Sequence, residues 1–305
     1  MEFLSKNKYT LYGVAAILLW SCLVALLRDI SELFSPIGGA AAMYSVSAIF
    51  LILVMGVPKF SGFSKRYLVI GTLLFVSYEI CLALSIGMAN SRHQAMEMAV
   101  INYLWPTLTI LLSIIGRKKV NFWVYPSMII AFLGVAWCIT GDQKMSLDTL
   151  VTNFADNPAT YLMALAAAFI WAIYCVVTQK LSNGKNAITL FFAVTAMSLW
   201  AQYGFSNEAP LTFSLRSSIT LLLAGVVVGS GYALWNQAII GGNLMLLGTL
   251  SYFTPVFSTI ISALYLSITL SASFWQGVVL VTVGSLICYF VTREKPKQPQ
   301  IASAT

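Results

Sequence analysis

Two carboxylates stand inside long apolar runs of this chain, Glu79 within FVSYEICLALSIG and Glu97 within RHQAMEMAVINYLWP. A central acid in hydrocarbon costs roughly 2.5–3.5 kcal/mol on insertion scales, so such a residue is a functional candidate by default. Desolvation disfavours its charged form, which would suit Glu79 to proton exchange or to meeting a cationic solute. The competing readings are a structural acid satisfied by hydrogen bonds and a contact to a helix kink. Glu97 lies nearer the end of its run, four residues after His93, and that spacing allows a local pair on one helix face.

Around these acids the apolar runs hold deep aromatic residues: Trp20, Tyr78, Tyr103, Trp105, Trp171, Tyr174, Tyr232, Trp235 and Tyr252. Helical spacing places Trp171 with Tyr174, and Tyr232 with Trp235 and Asn236, on single faces. Plain helix packing is one reading of such stripes. The other starts from their hydroxyl and indole groups, each of which needs a partner when buried. A cavity walled by rings with a few polar groups would take a planar or apolar solute with a small polar head. Asn102, Asn236, Gln237 and Ser251 are the groups expected to serve that head. A phosphate carrier should place Lys or Arg centrally, and no run here does so, which favours a neutral, zwitterionic or cationic solute.

Enzyme chemistry has little foothold. GxxxxGK[ST], HExxH and GxSxG are all missing from the chain, His93 is its one histidine, and cysteines 22, 81, 138, 175 and 288 form no CxxC pair. The expectation is no catalytic residue, no metal and no cofactor, with buried inert thiols.

The elements that must position these side chains follow from composition. The chain is 59% hydrophobic and 9% charged with a mean hydropathy of +0.85, against about 25% charged residues in an ordinary soluble domain. Ten runs long enough to cross a ~30 Å hydrocarbon core as helix can be counted: 9–27, 37–57, 67–88, 94–115, 121–140, 159–179, 187–205, 217–239, 244–267 and 273–292. Residues 9–27 lack a small-residue cleavage site after them and read as a retained first span. Thirteen basic residues fall on one side of this arrangement and four, Arg28, Arg92, Lys144 and Arg216, on the other. The positive-inside rule then puts both termini in the cytoplasm. The net charge of +7 is topology and not a nucleic-acid footprint. The apolar spacing of Leu147, Leu150, Val151 and Phe154 predicts a short helix in the connection at 141–158.

The chain is also written twice. Trp20 answers to Trp171, Tyr78 to Tyr232, Pro106 to Pro255 and Gly134 to Gly284, at offsets of 149 to 154. Five spans per half make the second half insert upside down. The predicted fold class is all-α and membrane-spanning, ten helices as two inverted five-helix repeats, a transporter architecture with its site near the midplane. The repeats cover 1–145 and 159–292, joined by an external loop at 146–158 and followed by a cytoplasmic tail at 293–305. A mid-helix proline removes a hydrogen bond and clashes with the preceding turn. Pro106 and Pro255, in equivalent places, are therefore read as paired hinges of spans four and nine.

The segments LLWS at 18–21, FVSYEICLALSIG at 75–87, RHQAMEMAVINYLWP at 92–106, FIWAIYC at 169–175, SYFTP at 251–255 and FWQG at 274–277 resemble the drug/metabolite transporter superfamily with its EamA-type repeats, and within it the bacterial aromatic amino-acid exporters. That resemblance implies export of Phe, Tyr and Trp across the bacterial inner membrane by alternating access. It implies a central cavity between the halves and bending of spans four and nine. Trp20, Tyr78, Trp105 and Trp171 lead the expected substrate contacts, with Glu79, Asn102, Tyr174, Tyr232, Trp235 and Tyr252 beside them. The expected partners are a small-molecule substrate and the lipid bilayer, with the protein acting as a monomer. An exporter of lipophilic cations such as methyl viologen is the alternative, and a non-transporting membrane receptor is the reading from another class.

Overall fold

A computed structural model describes residues 2–57, 62–114, 121–140, 147–242, 247, 250–251 and 253–292. Helices joined by turns and loops make up the described residues, with no strand among them. Thirteen helices serve the description below: α1 Glu2–Trp20, α2 Leu23–Leu33, α3 Pro36–Met55, α4 Lys65–Gly87, α5 Arg92–Asn102, α6 Trp105–Ile114, α7 Val124–Thr140, α8 Leu147–Asp156, α9 Pro158–Leu181, α10 Ile188–Phe205, α11 Leu215–Gly241, α12 Thr254–Tyr265 and α13 Ala272–Thr292. Six helical stretches are long and apolar enough to cross a membrane, among them α1 and α2 taken together from Lys8 to Leu33. Shorter apolar helices, Val124–Cys138, Thr254–Tyr265 and Ala272–Cys288, accompany them. Leu53, Leu73 and Leu222 lie exposed on outer faces, as expected of helices that meet lipid rather than water.

The helix ends follow local chemistry. Pro36 and Pro158 open α3 and α9 at a first-turn position where the missing N–H has no intrahelical partner to lose. Ser91 caps α5 by accepting from the Gln94 N–H at 3.0 Å, and Ser214 with Ser217 forms a reciprocal capping box on α11. The carboxylate of Glu208 accepts from the Ile37 and Gly38 N–H groups at 3.0 and 2.9 Å. It thereby ties the loop before α11 to the positive end of α3.

The first span differs from its expectation. It runs on to Leu33 and breaks at Ser21 and Cys22, although no proline is present. The Ser21 hydroxyl donates to the Ile17 carbonyl at 2.8 Å, and such back-bonding from a helical serine bends helices. The helix expected in the connection is there, as α8.

Both predicted proline breaks coincide with real ones. α5 stops at Asn102 and α6 starts at Trp105, with the Leu104 N–H turned to the Ile101 carbonyl at 3.1 Å. α12 starts at Thr254, with the Phe253 N–H turned to the Leu250 carbonyl at 3.3 Å. In each case the tightened turn lies just before the proline, which cannot donate back to the carbonyl four residues earlier.

Packing pairs helices from the two halves. α4 lies along α9 and α1 along α11; α3 packs on α10 and α7 on α13. The last pair crosses at glycines. A Cβ on Gly134 would stand 2.6 Å from the Val281 nitrogen and 2.8 Å from the Gly277 oxygen. One on Gly284 would stand 2.6 Å from the Ala131 nitrogen and 2.7 Å from the Ser127 oxygen. The contacts are reciprocal, because 127, 131 and 134 correspond to 277, 281 and 284.

Candidate functional site

Where α1, α4, α9 and α11 converge, aromatic rings fill the middle of the bundle. Trp171 stacks on Tyr78 and Tyr174 at centroid distances of 4.4 and 4.9 Å. Trp20 meets it edge-on at 5.7 Å and Trp105 at 6.3 Å. Trp235 closes on Trp20 at 4.8 Å, and Tyr232 approaches Trp20 at 5.1 Å. The Tyr232 hydroxyl donates to that of Tyr78 at 3.3 Å. Residues that correspond in the two halves thus touch each other here, Trp20 with Trp171 and Tyr78 with Tyr232.

A cleft opens beside this layer. Of the candidate residues, Trp20, Tyr78, Asn102, Trp105, Trp171 and Tyr232 line it, together with Leu23, Val24, Leu82, Ala99, Tyr103 and Thr254. Leu23, Val24, Leu82 and Ala99 lie along their helices towards Asp29, Gly87 and Arg92. The cleft therefore runs from the aromatic layer towards the end of the bundle that carries those residues. Its free interior is about 30 Å³, room for one or two waters. An aromatic solute cannot enter until the rings part.

No charged side chain lines the cleft. Three buried polar atoms of its lining have no hydrogen-bond partner: the Trp20 indole nitrogen, Asn102 Oδ1 and the Thr254 hydroxyl. One is a donor, one an acceptor and one can do either. A buried polar atom left unpaired costs about 1–3 kcal/mol, and three converging on one cleft mark a place that a polar ligand would satisfy.

The other expected contacts lie outside the lining. Glu79 is fully buried and accepts a hydrogen bond from the hydroxyl of Tyr44 on α3, while its second oxygen has no partner. Tyr174 donates to Asn236 Oδ1 at 2.9 Å, and Asn236 donates onward to Asn186 Oδ1 at 3.0 Å. That bridge commits Asn236 to holding α9 and α11 together. Trp235 supports Trp20 and Trp105 from behind. Tyr252, expected among the contacts, lies outside the described residues. Glu97 takes a hydrogen bond from Tyr161 on α9 in place of the suggested contact with His93, which is exposed. Among the described residues no cluster of His, Cys, Asp or Glu can hold a metal.

Sequence reasoning missed Tyr44 and Thr254. Nothing in the pattern of α3 marks Tyr44, since its partner is 35 residues away. Thr254 had a signal: it precedes Pro255 as Trp105 precedes Pro106. Tyr44→Phe is expected to lower stability by about 1–3 kcal/mol, because it leaves a buried carboxyl oxygen without its donor. Thermal unfolding of the purified protein measures this, and an unchanged midpoint would show that the bond has no structural weight.

An all-helical bundle with several membrane-length apolar helices is a multi-pass membrane protein, and this one holds an uncharged, largely aromatic cleft. The EamA-like transporter family model matches residues 158–290. The chain is 46% identical over 293 residues to a Salmonella typhimurium protein named aromatic amino acid exporter YddG, covering 96% of this chain and 100% of that protein. It is 45% identical to the Escherichia coli K12 protein of the same name, over 95% of this chain and 99% of that one. A crystal structure of a protein 21% identical superposes with a TM-score of 0.67, covering 95% of this chain and 99% of the other, and at that identity the likeness concerns the fold alone. The chain belongs to the EamA-like transporter family, together with these YddG proteins. It is a transporter and not an enzyme.

Proposed function

We propose that this protein exports aromatic amino acids across the bacterial inner membrane by alternating access. Ten spanning helices form two inverted five-helix repeats, 1–145 and 159–292, with a connection at 146–158, a tail at 293–305 and both termini in the cytoplasm. The reciprocal glycine crossing of α7 and α13 supports the inverted repeat, as do the paired meetings of Trp20 with Trp171 and Tyr78 with Tyr232. Each is what a two-fold axis in the membrane plane requires of residues lying near it. The matching breaks before Pro106 and Pro255 support hinges at equivalent places, one opening an exit while the other closes an entry.

The observation that carries the substrate class is the cleft itself: a layer of rings at one end, aliphatic walls beyond it, no charge, and three unpaired polar atoms. Aromatic faces suit a planar side chain. The Trp20 N–H suits a carboxylate, and Asn102 Oδ1 suits an ammonium group. The names of the two YddG relatives agree with this chemistry. Glu79, one layer behind the rings, is proposed to hold Tyr44 and the tyrosine pair in place, with proton exchange its further candidate role.

Counterflow in proteoliposomes tests the reading. Vesicles loaded with unlabelled phenylalanine are expected to accumulate labelled phenylalanine, and loading with a nucleotide sugar should give none. Exchange driven by methyl viologen alone would move the assignment to lipophilic cations. Absence of exchange with every load, in vesicles containing folded protein, would refute it.

A further inference from the structure

α12 carries an unusual set of hydroxyls. Thr254, Ser258, Thr259 and Ser262 are 5, 1, 0 and 0% exposed, and the hydroxyl oxygen of each lacks a hydrogen-bond partner. Helical Ser and Thr commonly satisfy themselves on the carbonyl four residues back. Thr195, Thr282 and Ser47 do so in this protein at 2.9, 2.9 and 3.1 Å. Ser258, Thr259 and Ser262 do not, although each has a carbonyl of α12 four residues back. Alanine or valine would fill this space without the penalty of unpaired buried hydroxyls, so close packing alone does not account for them.

Their positions run in a line. Thr254, Ser258 and Ser262 are spaced by four and stack along one face of α12, starting at the cleft, which Thr254 lines. The Tyr103 hydroxyl is the polar side-chain group that approaches Ser258. α12 packs against α2 and α5, as well as α1 and α13, and polar ties gather at the far end of the line beside the buried Leu266 side chain. Tyr265 donates to Asp29 Oδ2 at 2.8 Å. Arg92 donates to the Leu266 carbonyl and forks onto Glu32 at 3.0 and 2.6 Å. Arg28 joins Glu32 at 2.7 Å and reaches the Ala89 carbonyl at 2.7 Å. α12 is thus an arm with a proline at its base, a hydroxyl face turned inward and a hydrogen-bonded clasp at its tip, made by Asp29 and by an Arg92 that Glu32 holds.

We propose that the Thr254–Ser258–Ser262 face is the polar wall of the outward exit path. It receives water and the charged head of the departing amino acid when α12 swings from α2 and α5, and Arg92, held in place by Glu32 and donating to the Leu266 carbonyl, is the latch that holds the arm shut. The proposal rests on the reading of the protein as an amino-acid exporter and identifies its exit. In the closed arrangement the hydroxyls are dry and unpaired; in the open one they are hydrated. That difference biases the arm towards opening, and the clasp opposes it.

Two measurements on the full-length chain decide the matter. The double variant Ser258→Ala, Ser262→Ala is expected to slow phenylalanine counterflow about tenfold, equivalent to about 1.4 kcal/mol, with a thermal midpoint equal to or above that of the unaltered protein. A purely structural stripe predicts unchanged exchange, and that result would overturn the proposal. In right-side-out vesicles, Ser258→Cys is expected to react with a membrane-impermeant maleimide faster than the unaltered chain with its five native cysteines. Adding Arg92→Gln should raise that rate about tenfold by shifting the closed population towards the open one. The labelling needs no knowledge of the substrate. Were the unaltered protein not to exchange phenylalanine, the functional reading would fall while the labelling still reported whether this face opens outward. Absence of labelling with and without Arg92→Gln would overturn the exit path and its latch.

Discussion

Trp171→Ala is expected to abolish phenylalanine exchange and to lower stability by about 3–5 kcal/mol, the range for removing a fully buried tryptophan. Trp171 is 1% exposed and contacts the rings of Trp20, Phe75, Tyr78, Trp105, Tyr174 and Tyr232. Aromatic pairs are worth about 0.5–1.5 kcal/mol each beyond area burial. Their sum is not additive, but no other side chain joins as many walls of the cleft. Loss of exchange through loss of folding is separated by Trp171→Phe, which keeps a ring on Tyr78 and Tyr174. This variant is expected to remain folded and to exchange phenylalanine more slowly. Normal exchange by Trp171→Ala in folded protein would remove the aromatic layer from the transport path.

The second large effect is expected at the crossing of α7 and α13. Gly284→Ala places a methyl group 2.6 Å from the Ala131 nitrogen and 2.7 Å from the Ser127 oxygen. Both are backbone atoms, so no side chain can rotate aside and the helices themselves must separate. The cost is expected at the upper end of overpacking, about 3 kcal/mol, and Gly134→Ala should match it through the equivalent contacts. Gly204→Ala is the control, because nothing lies within 4 Å of a Cβ there. Thermal unfolding of the three variants measures this. A Gly284→Ala midpoint equal to that of Gly204→Ala would show that the close crossing is wrong, and with it one support of the inverted repeat.

Both effects rest on features that the sequence announces unequally. Gly134 and Gly284 stand out as a repeated pair, but not as residues that face each other through their backbones. Trp171 stands out as a deep tryptophan repeated from Trp20. That the two rings meet each other, at 5.7 Å between centroids, is legible only in the folded chain.

What the sequence determined by itself follows from one-dimensional physics. Hydropathy over twenty residues sets the solvent, and so the membrane class. A missing N–H at each proline locates the breaks before Pro106 and Pro255. Side-chain chemistry makes a ring-walled cavity with a few polar groups, Glu79 among them, one reading of the deep aromatic residues, and the resemblance brings Trp20, Tyr78, Trp105 and Trp171 to its front. Tertiary structure decided everything that needs two distant segments in one place. It put Glu79 on Tyr44 instead of at the cleft, spent Asn236 on Tyr174 and Asn186, and left Asn102, Trp20 and Thr254 unpaired around the opening. It also drew Glu32, Arg92 and Leu266 into one clasp, from segments 60 and 174 residues apart. Hydrogen bonds and ion pairs act over about 3 Å, and no spacing along a chain states which helices will come that close.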